Sequence, residues 1–234
     1  MPDAVRIEPW AVVFDLDGVI ADTARLHRLS WEGLAGRLGI AFDERINDRM
    51  RGLTRPESLA VFLEAAPRPF SSDEREAILR EKNDAYLRLV AGMTPADALP
   101  GVRPLLESLR RAGVPAAVAS SSRNVRVVLD RLDLLPFFAA LIDAHAAPRS
   151  KPDPQAFVLA AEALGLPGRR CVAIEDGAAG VVAARAAGMR VVGIGPRERL
   201  RDADDVVASC VELTMGRLRR LVDARDLPLT PRGH

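Results

Sequence analysis

The sequence predicts a doubly wound α/β fold, in which helices cover both faces of a parallel sheet, with a helical domain inserted after the first strand. Short apolar runs alternate with amphipathic stretches along most of the chain, and this alternation is typical of strand–helix–strand units. Residues 23–93 interrupt the alternation, because they show helical spacing and no convincing strand. We therefore predict an α/β core formed by residues 1–22 and 94–234 and a helical cap formed by residues 23–93.

Five short apolar runs predict the strands of the core. They lie at residues 11–14, 116–119, 141–142, 172–174 and 191–194. Runs this short that are apolar at every position are typical of strands buried on both faces of a parallel sheet.

Amphipathic spacing predicts the helices that connect these strands. They span residues 102–112, 123–132, 154–164 and 178–187. Gly113, Gly165 and Gly188 directly follow three of these segments. Glycine at such a position is typical of a helix C-terminus, so the spacing and the glycines agree on where the helices end.

Helical spacing also predicts three helices in the cap. They span residues 23–38, 54–65 and 72–90. Ser71 and Glu74 have the spacing of a capping box, and Thr54 is a candidate N-cap for the second helix. Pro95 and Pro100 mark the return of the chain to the core.

The composition indicates a globular domain and argues against two classes of partner. At 48%, the apolar residues are numerous enough to bury a substantial core. The formal charge is only +1, so the sequence does not predict the basic surface that nucleic-acid binding needs. The apolar runs are too short for a signal sequence or a membrane span, so we expect no membrane partner.

The two cysteines, Cys171 and Cys210, lie far apart in the sequence, and neither belongs to a metal or redox motif. Each borders an apolar run, so we expect both to be buried, unreactive thiols. Few cysteines suit a reducing compartment, so we expect a cytoplasmic protein. We also expect it to be a monomer.

Polar side chains follow three of the predicted strands at the point where each strand ends. Asp15 and Asp17 come after the first strand, Ser120 after the second, and Glu175 and Asp176 after a later one. Because ligands bind beyond the carboxyl ends of the strands in an open parallel sheet, we expect these groups to meet at one edge. Four converging carboxylates repel one another, and a divalent cation relieves that repulsion. Oxygen ligands favour Mg²⁺ over Zn²⁺, so the sequence predicts a magnesium site.

Charge also suggests how such a site would act on a phosphate ester. A phosphate dianion resists an anionic nucleophile unless its oxygens are neutralised, and Mg²⁺ together with Lys151 can neutralise them. One aspartate can then be the nucleophile, and the aspartate two residues later can move the proton of the substrate oxygen. Ser120 and Asn124 can donate hydrogen bonds to the transferring group, and Gly18 relieves crowding at the turn. Capping and solvation alone would not account for such residues after three separate strands.

Four short motifs resemble those of the haloacid dehalogenase superfamily. They are the run Phe14-Asp15-Leu16-Asp17-Gly18-Val19-Ile20, Ser120, Lys151-Pro152 and Glu175-Asp176. Residues of the cap are similar to those of one branch of that superfamily, the β-phosphoglucomutase family. They are Asp22-Thr23-Ala24, His27, Trp31, the run Arg51-Gly52-Leu53-Thr54-Arg55, Ser58 and Lys82-Asn83-Asp84. The core motifs are shared by many phosphatases, so the cap residues are the more specific part of the resemblance.

For the core, the resemblance implies an aspartyl-phosphate mechanism. Asp15 would be the phosphorylated nucleophile, and Asp17 would be the general acid and base. Asp15, the backbone carbonyl of Asp17, Glu175 and Asp176 would hold the Mg²⁺ cofactor.

For the substrate, the resemblance implies a small sugar phosphate held between the core and the cap. The residues expected to bind it are Ser120, Ser121, Ser122, Asn124 and Lys151 in the core and His27, Trp31, Gly52, Arg55, Ser58 and Asn83 in the cap. Thr23 is expected at the hinge, and Lys82 is expected to contribute to the cap. Ser121 and Arg51 replace an alanine and a lysine of the family pattern, and either change could alter the sugar preference.

Taken singly, the cap residues also have simpler interpretations. His27 lies four residues before Trp31 on a predicted helix, so the two could merely pack together. Trp31 suits a hydrophobic core as well as a sugar-binding surface. Arg55 could be a solvated residue at a helix start, although a guanidinium is well suited to binding phosphate through two donors. Lys82 is ambiguous in the same way.

The activity that the resemblance implies is the conversion of β-glucose 1-phosphate to glucose 6-phosphate through β-glucose 1,6-bisphosphate. Two alternatives stay open. A sugar-phosphate phosphatase of the same superfamily would share every core residue and differ in the cap. A non-catalytic binding protein on the same fold would have little reason to keep Asp15, Asp17, Lys151 and Asp176 together.

Overall fold

A six-stranded parallel sheet forms the centre of the protein, in a computed structural model that describes residues 8–50 and 53–224. The strands are β1 (Ala11–Phe14), β2 (Ala116–Ala119), β3 (Ala140–Ile142), β4 (Cys171–Glu175), β5 (Arg190–Ile194) and β6 (Asp205–Val207). Their order in the sheet is β3-β2-β1-β4-β5-β6, so the direction of winding reverses between β1 and β4. The predicted doubly wound fold is confirmed, and all five predicted strands are present.

The helical insertion after β1 is also confirmed. Its four helices, which we call the cap helices, are α1 (Thr23–Leu38), α2 (Glu44–Met50), α3 (Arg55–Leu63) and α4 (Ser72–Ala91). They share a hydrophobic cluster in which Trp31, Phe62 and Ile78 are buried. This cluster gives the cap helices a core of their own, separate from the sheet. The exact domain boundaries, 23 and 93, stay a prediction.

The remaining helices lie against the sheet. They are α5 (Val102–Arg111), α6 (Val125–Arg131), α7 (Gln155–Ala163), α8 (Ala178–Ala186) and α9 (Met215–Asp223). Alternate residues of β1 face opposite ways: Val12 and Phe14 join the cluster that contains α5, α6 and α9, and Ala11 and Val13 join the one that contains α7 and α8. Burial on both faces explains why each central strand is apolar at every position.

Local signals at the helix ends behave as predicted. The backbone N–H of Ser71 donates to the Glu74 carboxylate at 2.8 Å, and the Glu74 N–H donates to the Ser71 hydroxyl at 3.3 Å, which completes the capping box. Thr54 precedes α3, as expected of an N-cap. Gly113, Gly165 and Gly188 all have positive φ angles, as helix-terminating glycines require.

Two elements were missed by the sequence analysis. Strand β6 has only three residues, and of these only Val207 is buried, so it lacks an apolar run. Helix α2 is polar except for Ile46 and Met50, which are buried one turn apart. Asp43 accepts a hydrogen bond from the Ile46 N–H at 2.8 Å, and this N-terminal cap was the available signal for α2.

Both cysteines are buried thiols that form no disulfide bond, as predicted. Burial raises the pKa of the Cys210 thiol to about 12, which keeps it protonated and unreactive at neutral pH. Among the described residues, no helix combines the length and the apolar character that crossing a membrane requires.

Gly101 offers a test of how closely the core is packed. Its φ is +87°, and a Cβ there would overlap backbone atoms of Cys210 and Val211. We expect Gly101→Ala to lower the free energy of unfolding by about 2–4 kcal/mol, from left-handed strain plus overpacking. Gly113→Ala is the matched control, because Gly113 has a φ of +67° but no neighbour within 4 Å of the added Cβ. For the control, urea unfolding should show a decrease in the free energy of unfolding of about 1–2 kcal/mol. Equal decreases in the two variants would contradict the packing argument.

Candidate active site

Three carboxylates meet where β1 and β4 end. Asp15 follows β1, Glu175 ends β4, and Asp176 follows it. The register pairs Phe14 with Ile174, so the next residues of the two strands emerge side by side. The three side chains each place an oxygen within 4.8 Å of the others. This edge lies at the point where the winding reverses, which is where open α/β sheets bind their ligands.

Lys151 lies between two of these carboxylates. Its Nζ donates to Asp15 Oδ1 and to Glu175 Oε1, at 2.6 Å in each case. All three side chains are buried. Burial alone would lower the pKa of the Lys151 ammonium, but the two carboxylates reverse that effect and raise the pKa. Lys151 is therefore a fixed positive charge beside the Asp15 carboxylate.

Asp17 has a different environment from that of Asp15. Its side chain is 30% exposed and accepts a hydrogen bond from the hydroxyl of Thr23, the first residue of α1. Its Oδ1 lies 3.9 Å from Nε2 of His27. Burial raises the pKa of the Asp17 carboxyl, and the Thr23 hydrogen bond and Lys151 oppose that rise. Thr23 therefore connects the first cap helix to the second aspartate of the motif.

Two glycines leave room for these carboxylates. Gly18 has a φ of +80°, and a Cβ there would overlap the Asp176 carboxylate. A Cβ at Gly180, on the first turns of α8, would overlap the Glu175 carboxylate. The sequence analysis assigned a role only to Gly18, because a glycine inside a helix gives no sign of which side chain lies over it.

In the cap helices, an aromatic cluster surrounds the buried Lys82. Its Nζ lies 2.5 Å from Nδ1 of His27 and 4.9 Å from the centre of the Tyr86 ring. The His27 and Tyr86 rings are stacked with centroids 4.1 Å apart. Burial and the nearby Arg55 guanidinium lower the pKa of Lys82 to about 7, and burial and Lys82 hold the pKa of His27 well below its ordinary value. His27 is therefore neutral at pH 7.

Trp31 lies both in the hydrophobic cluster of the cap helices and on the wall of the main cavity, which is described below. Its ring packs on Phe62 with centroids 4.7 Å apart, inside the cluster of the cap helices. It also lines the main cavity and lies 5.5 Å from the Lys82 ammonium.

Arg55 is the first residue of α3 and belongs to the cap side of the site. Its guanidinium donates to Asn83 Oδ1 at 2.7 Å, and the same oxygen accepts from Asn124 Nδ2 at 3.1 Å. Burial lowers the pKa of Arg55, and the neighbouring Arg123 guanidinium lowers it further. Asn83 thus joins a cap arginine to a core asparagine.

A cavity of about 850 Å³, the main cavity, is lined by residues of the cap helices and of the core. The predicted site residues on its wall are Asp15, Asp17, His27, Trp31, Arg55, Ser58, Lys82, Ser121, Ser122, Lys151, Glu175 and Asp176. Ser120 is buried and accepts a hydrogen bond from the Ser122 N–H at 3.0 Å. Asn83 lines a smaller neighbouring cleft together with Arg55 and Arg123. Gly52 lies outside the described residues.

Several further residues line this cavity and were not singled out from the sequence. They are Arg25, Arg28, Glu44, Asn47, Arg123 and Arg199. Arg123 follows the serine run after β2, so its place in that motif was the available signal. The others are charged or polar side chains of an ordinary kind, and nothing in their local sequence marks them. Tyr86 was missed because a lone tyrosine on an amphipathic helix predicts only packing.

The donor chemistry of the acidic cluster fits a hard divalent cation. Asp15, Glu175 and Asp176 offer carboxylate oxygens only, and ligands of this kind suit Mg²⁺ rather than a softer metal. Asp17 does not belong to this set through its side chain. Its expected contribution through the backbone carbonyl stays a prediction.

Comparisons with known proteins agree with this description. The family model for haloacid dehalogenase-like hydrolases matches residues 11–188. The chain is 40% identical over 207 residues to the β-phosphoglucomutase of Bacillus subtilis strain 168, covering 88% of this chain and 92% of the relative. It is 31% identical over 213 residues to hexitol phosphatase A of Escherichia coli K12, with 87% and 92% covered.

A solved structure supports the same relationship. The crystal structure of a β-phosphoglucomutase from Clostridium difficile matches with a TM-score of 0.88 and 34% identity, covering 93% of this chain and 98% of the other. The family model spans β1, the whole cap and the strands that supply the acidic cluster. The resemblance predicted from the motifs is confirmed, and this chain belongs to the haloacid dehalogenase-like hydrolase family.

Proposed function

We propose that this protein is a magnesium-dependent β-phosphoglucomutase, which interconverts β-D-glucose 1-phosphate and glucose 6-phosphate. The observation that carries the proposal is that a cation of the core and a cation of the cap line the same cavity. Lys151 lies beside Asp15, and Arg55 lies at the start of α3 on the wall of the same cavity. A sugar bisphosphate needs two anion sites at once, one for the reacting phosphoryl group and one for the phosphate at the far end. The 40% identity to a β-phosphoglucomutase supports this activity.

The proposed reaction passes through a phosphorylated Asp15. The C6 hydroxyl of β-glucose 1-phosphate attacks that phosphoryl group, the bond between phosphorus and the Asp15 oxygen breaks, and β-glucose 1,6-bisphosphate forms. The bisphosphate then turns over in the site. Asp15 attacks the C1 phosphate, which restores the phosphorylated enzyme and releases glucose 6-phosphate. A carboxylate nucleophile of this kind divides one difficult transfer into two easier ones.

Asp17 would move the proton in each half of the reaction. It removes the proton of the C6 hydroxyl as that oxygen attacks, and it returns a proton to the C1 oxygen as the bond to phosphorus breaks. The Thr23 hydroxyl holds the Asp17 carboxylate in place for both steps. Burial raises the pKa of the Asp17 carboxyl toward neutral pH, and a pKa nearer the working pH makes a better general acid and base.

Mg²⁺ and Lys151 would together neutralise the negative charge of the transferring phosphoryl group. Asp15, Glu175, Asp176 and the Asp17 carbonyl would hold Mg²⁺, which when bound neutralises oxygens of the transferring phosphoryl group. Lys151 supplies a fixed positive charge on the same phosphoryl group, and Ser120 would donate to it.

The cap would hold the sugar and the second phosphate and keep water away. Arg55 would bind the distal phosphate, since a guanidinium forms two charge-assisted hydrogen bonds to one phosphate group. The remaining groups proposed to contact the substrate are Ser58, His27, Trp31, Asn83 and Lys82 from the cap and Ser121, Ser122 and Asn124 from the core. Exclusion of water matters because hydrolysis of the phosphorylated aspartate would turn a mutase into a phosphatase.

A second candidate function is a sugar-phosphate phosphatase. The 31% identity to hexitol phosphatase A favours it, because that relative is covered over nearly the same length. Such an enzyme would use Asp15 and Asp17 in the same way and transfer the phosphoryl group to water instead of to a sugar.

A coupled assay separates the two candidates. The enzyme is supplied with β-glucose 1-phosphate and a trace of β-glucose 1,6-bisphosphate, and glucose 6-phosphate and inorganic phosphate are both measured. We expect glucose 6-phosphate to exceed released phosphate at least about tenfold, because closure of the cap should favour the sugar hydroxyl over water. Removal of metal with a chelator should abolish turnover, and added Mg²⁺ should restore it. Release of phosphate without glucose 6-phosphate would favour the phosphatase.

The nucleophile can be tested by a substitution that preserves shape. Asp15→Asn should lower turnover at least about a thousandfold, since an amide cannot form the phosphorylated intermediate. Asp130→Asn is the control, because Asp130 is an exposed residue of α6. Circular dichroism should show both variants folded. Turnover by Asp15→Asn within tenfold of the wild type would rule out Asp15 as the nucleophile.

The distal phosphate site can be tested through Arg55. Arg55→Ala should lower the mutase kcat/KM at least about a hundredfold, since charge-assisted contacts are worth roughly 1.5–3 kcal/mol each and tenfold corresponds to about 1.4 kcal/mol. Hydrolysis of a small phosphate ester, which has no second phosphate, should survive. Arg37→Ala is the matched control, because Arg37 is on α1 and its exposed side chain pairs with Glu81 away from both cavities.

If the Arg55 variant lost both activities equally, or neither, Arg55 would not be the distal phosphate ligand. The control variant should keep both activities within about twofold, as expected of an exposed ion pair.

A further inference from the structure

Glu57 joins the cap to the loop that carries Lys151. The hydroxyl of Ser150 donates to Glu57 Oε1 at 2.8 Å, across 93 residues of sequence. The other oxygen, Oε2, accepts from the backbone N–H of Thr54 at 2.8 Å and from its hydroxyl at 2.5 Å. Three donors therefore hold the Glu57 carboxylate, two from its own helix start and one from the core.

Glu57 and Ser150 are each close in sequence to one of the two cations of the cavity, Arg55 and Lys151. Glu57 lies on the first turn of α3, two residues after Arg55. Ser150 immediately precedes Lys151, which Asp15 and Glu175 hold in place. The hydrogen bond therefore connects the segment that positions the distal cation to the segment that positions the cation beside the nucleophile.

We propose that Glu57 is a positioning residue that latches the cap onto the core through Ser150, and that this latch keeps water away from the phosphorylated Asp15. Glu57 touches neither the reacting atoms nor the acidic cluster, so it acts only through the placement of α3 and the Lys151 loop. The proposal rests on the proposed phosphorylation of Asp15, which the mutase and the phosphatase share.

The strength of the contact suits a latch that must open in every cycle. Glu57 is exposed, so water competes for its carboxylate. The Ser150–Glu57 hydrogen bond therefore contributes only modestly to the stability of the closed state. The hydrogen bond between Asn83 and Asn124 is a second link between cap and core, on the Arg55 side of the cavity. Loss of Ser150 should therefore loosen the closed state without abolishing it.

Ser150→Ala tests the latch, because it removes the link to the core and leaves the Glu57–Thr54 contacts intact. The measured quantity is the ratio of phosphate released to glucose 6-phosphate formed from β-glucose 1-phosphate. We expect this ratio to rise about threefold to tenfold, the range that corresponds to the loss of one net hydrogen bond. Ser150→Thr keeps the hydroxyl and should behave like the wild type.

Glu74 provides a matched control on α4. Its Oε2 accepts from the Ser71 N–H at 2.8 Å, as Glu57 Oε2 does from Thr54, and its side-chain partners among the described residues, Ser71 and Arg68, both belong to the cap. Glu57→Ala should raise the ratio as Ser150→Ala does, and Glu74→Ala should not. The double variant of Glu57 and Ser150 should show no more than the effect of either single variant, because both remove the same contact.

A second readout does not depend on mutase activity. Enzyme phosphorylated with acetyl phosphate is quenched at intervals, and the loss of acyl phosphate is followed. Decay should be about threefold to tenfold faster in Ser150→Ala and unchanged in Glu74→Ala. Unchanged decay in Ser150→Ala, or additive effects of Glu57 and Ser150, would overturn the latch. A wild type that forms no glucose 6-phosphate would overturn the mutase proposal alone, since the decay would still report on the latch.

Discussion

The contact of the Lys151 ammonium with the Asp15 and Glu175 carboxylates is the interaction on which the rest of the site depends. Parallel pairing of β1 with β4 forces both carboxylates to the same buried edge, where each would otherwise destabilise the other. Breaking a buried ion pair typically costs about 3–5 kcal/mol, because it leaves an uncompensated charge. Lys151 comes from a loop 136 residues after Asp15, so this contact exists only when distant parts of the chain are packed together.

This crowding also constrains the backbone around the carboxylates. Gly18 must have a positive φ and no side chain, since the Asp176 carboxylate occupies the adjacent space. The chain then leaves the sheet, and the cap begins at Thr23, whose hydroxyl contacts Asp17. The point of insertion therefore places the start of the cap against the second aspartate, so a movement of α1 would be felt directly at Asp17.

The sequence predicted the sheet, the inserted helices and the motifs because each of these depends on local pattern. It missed β6 and α2, whose burial comes from one or two residues and not from a periodic face. It also missed Gly180 and Glu57, which have their roles through contacts with other parts of the chain. Contacts of this kind are fixed by how the elements pack, and no local signal in a single sequence specifies them.

The surroundings of Arg55 explain why an arginine suits the proposed distal phosphate site better than a lysine. Burial lowers the pKa of Arg55 and of Lys82, which lie in the same part of the cap. The pKa of Lys82 falls to about 7, so that lysine is only partly charged at neutral pH. The Arg55 guanidinium is less deeply buried than Lys82 and starts from a much higher pKa, so it stays charged. A lysine in place of Arg55 would lose the two-donor geometry, whereas Lys151 keeps its charge because two carboxylates contact it. Arg55 and Lys151 thus keep their positive charges for different physical reasons.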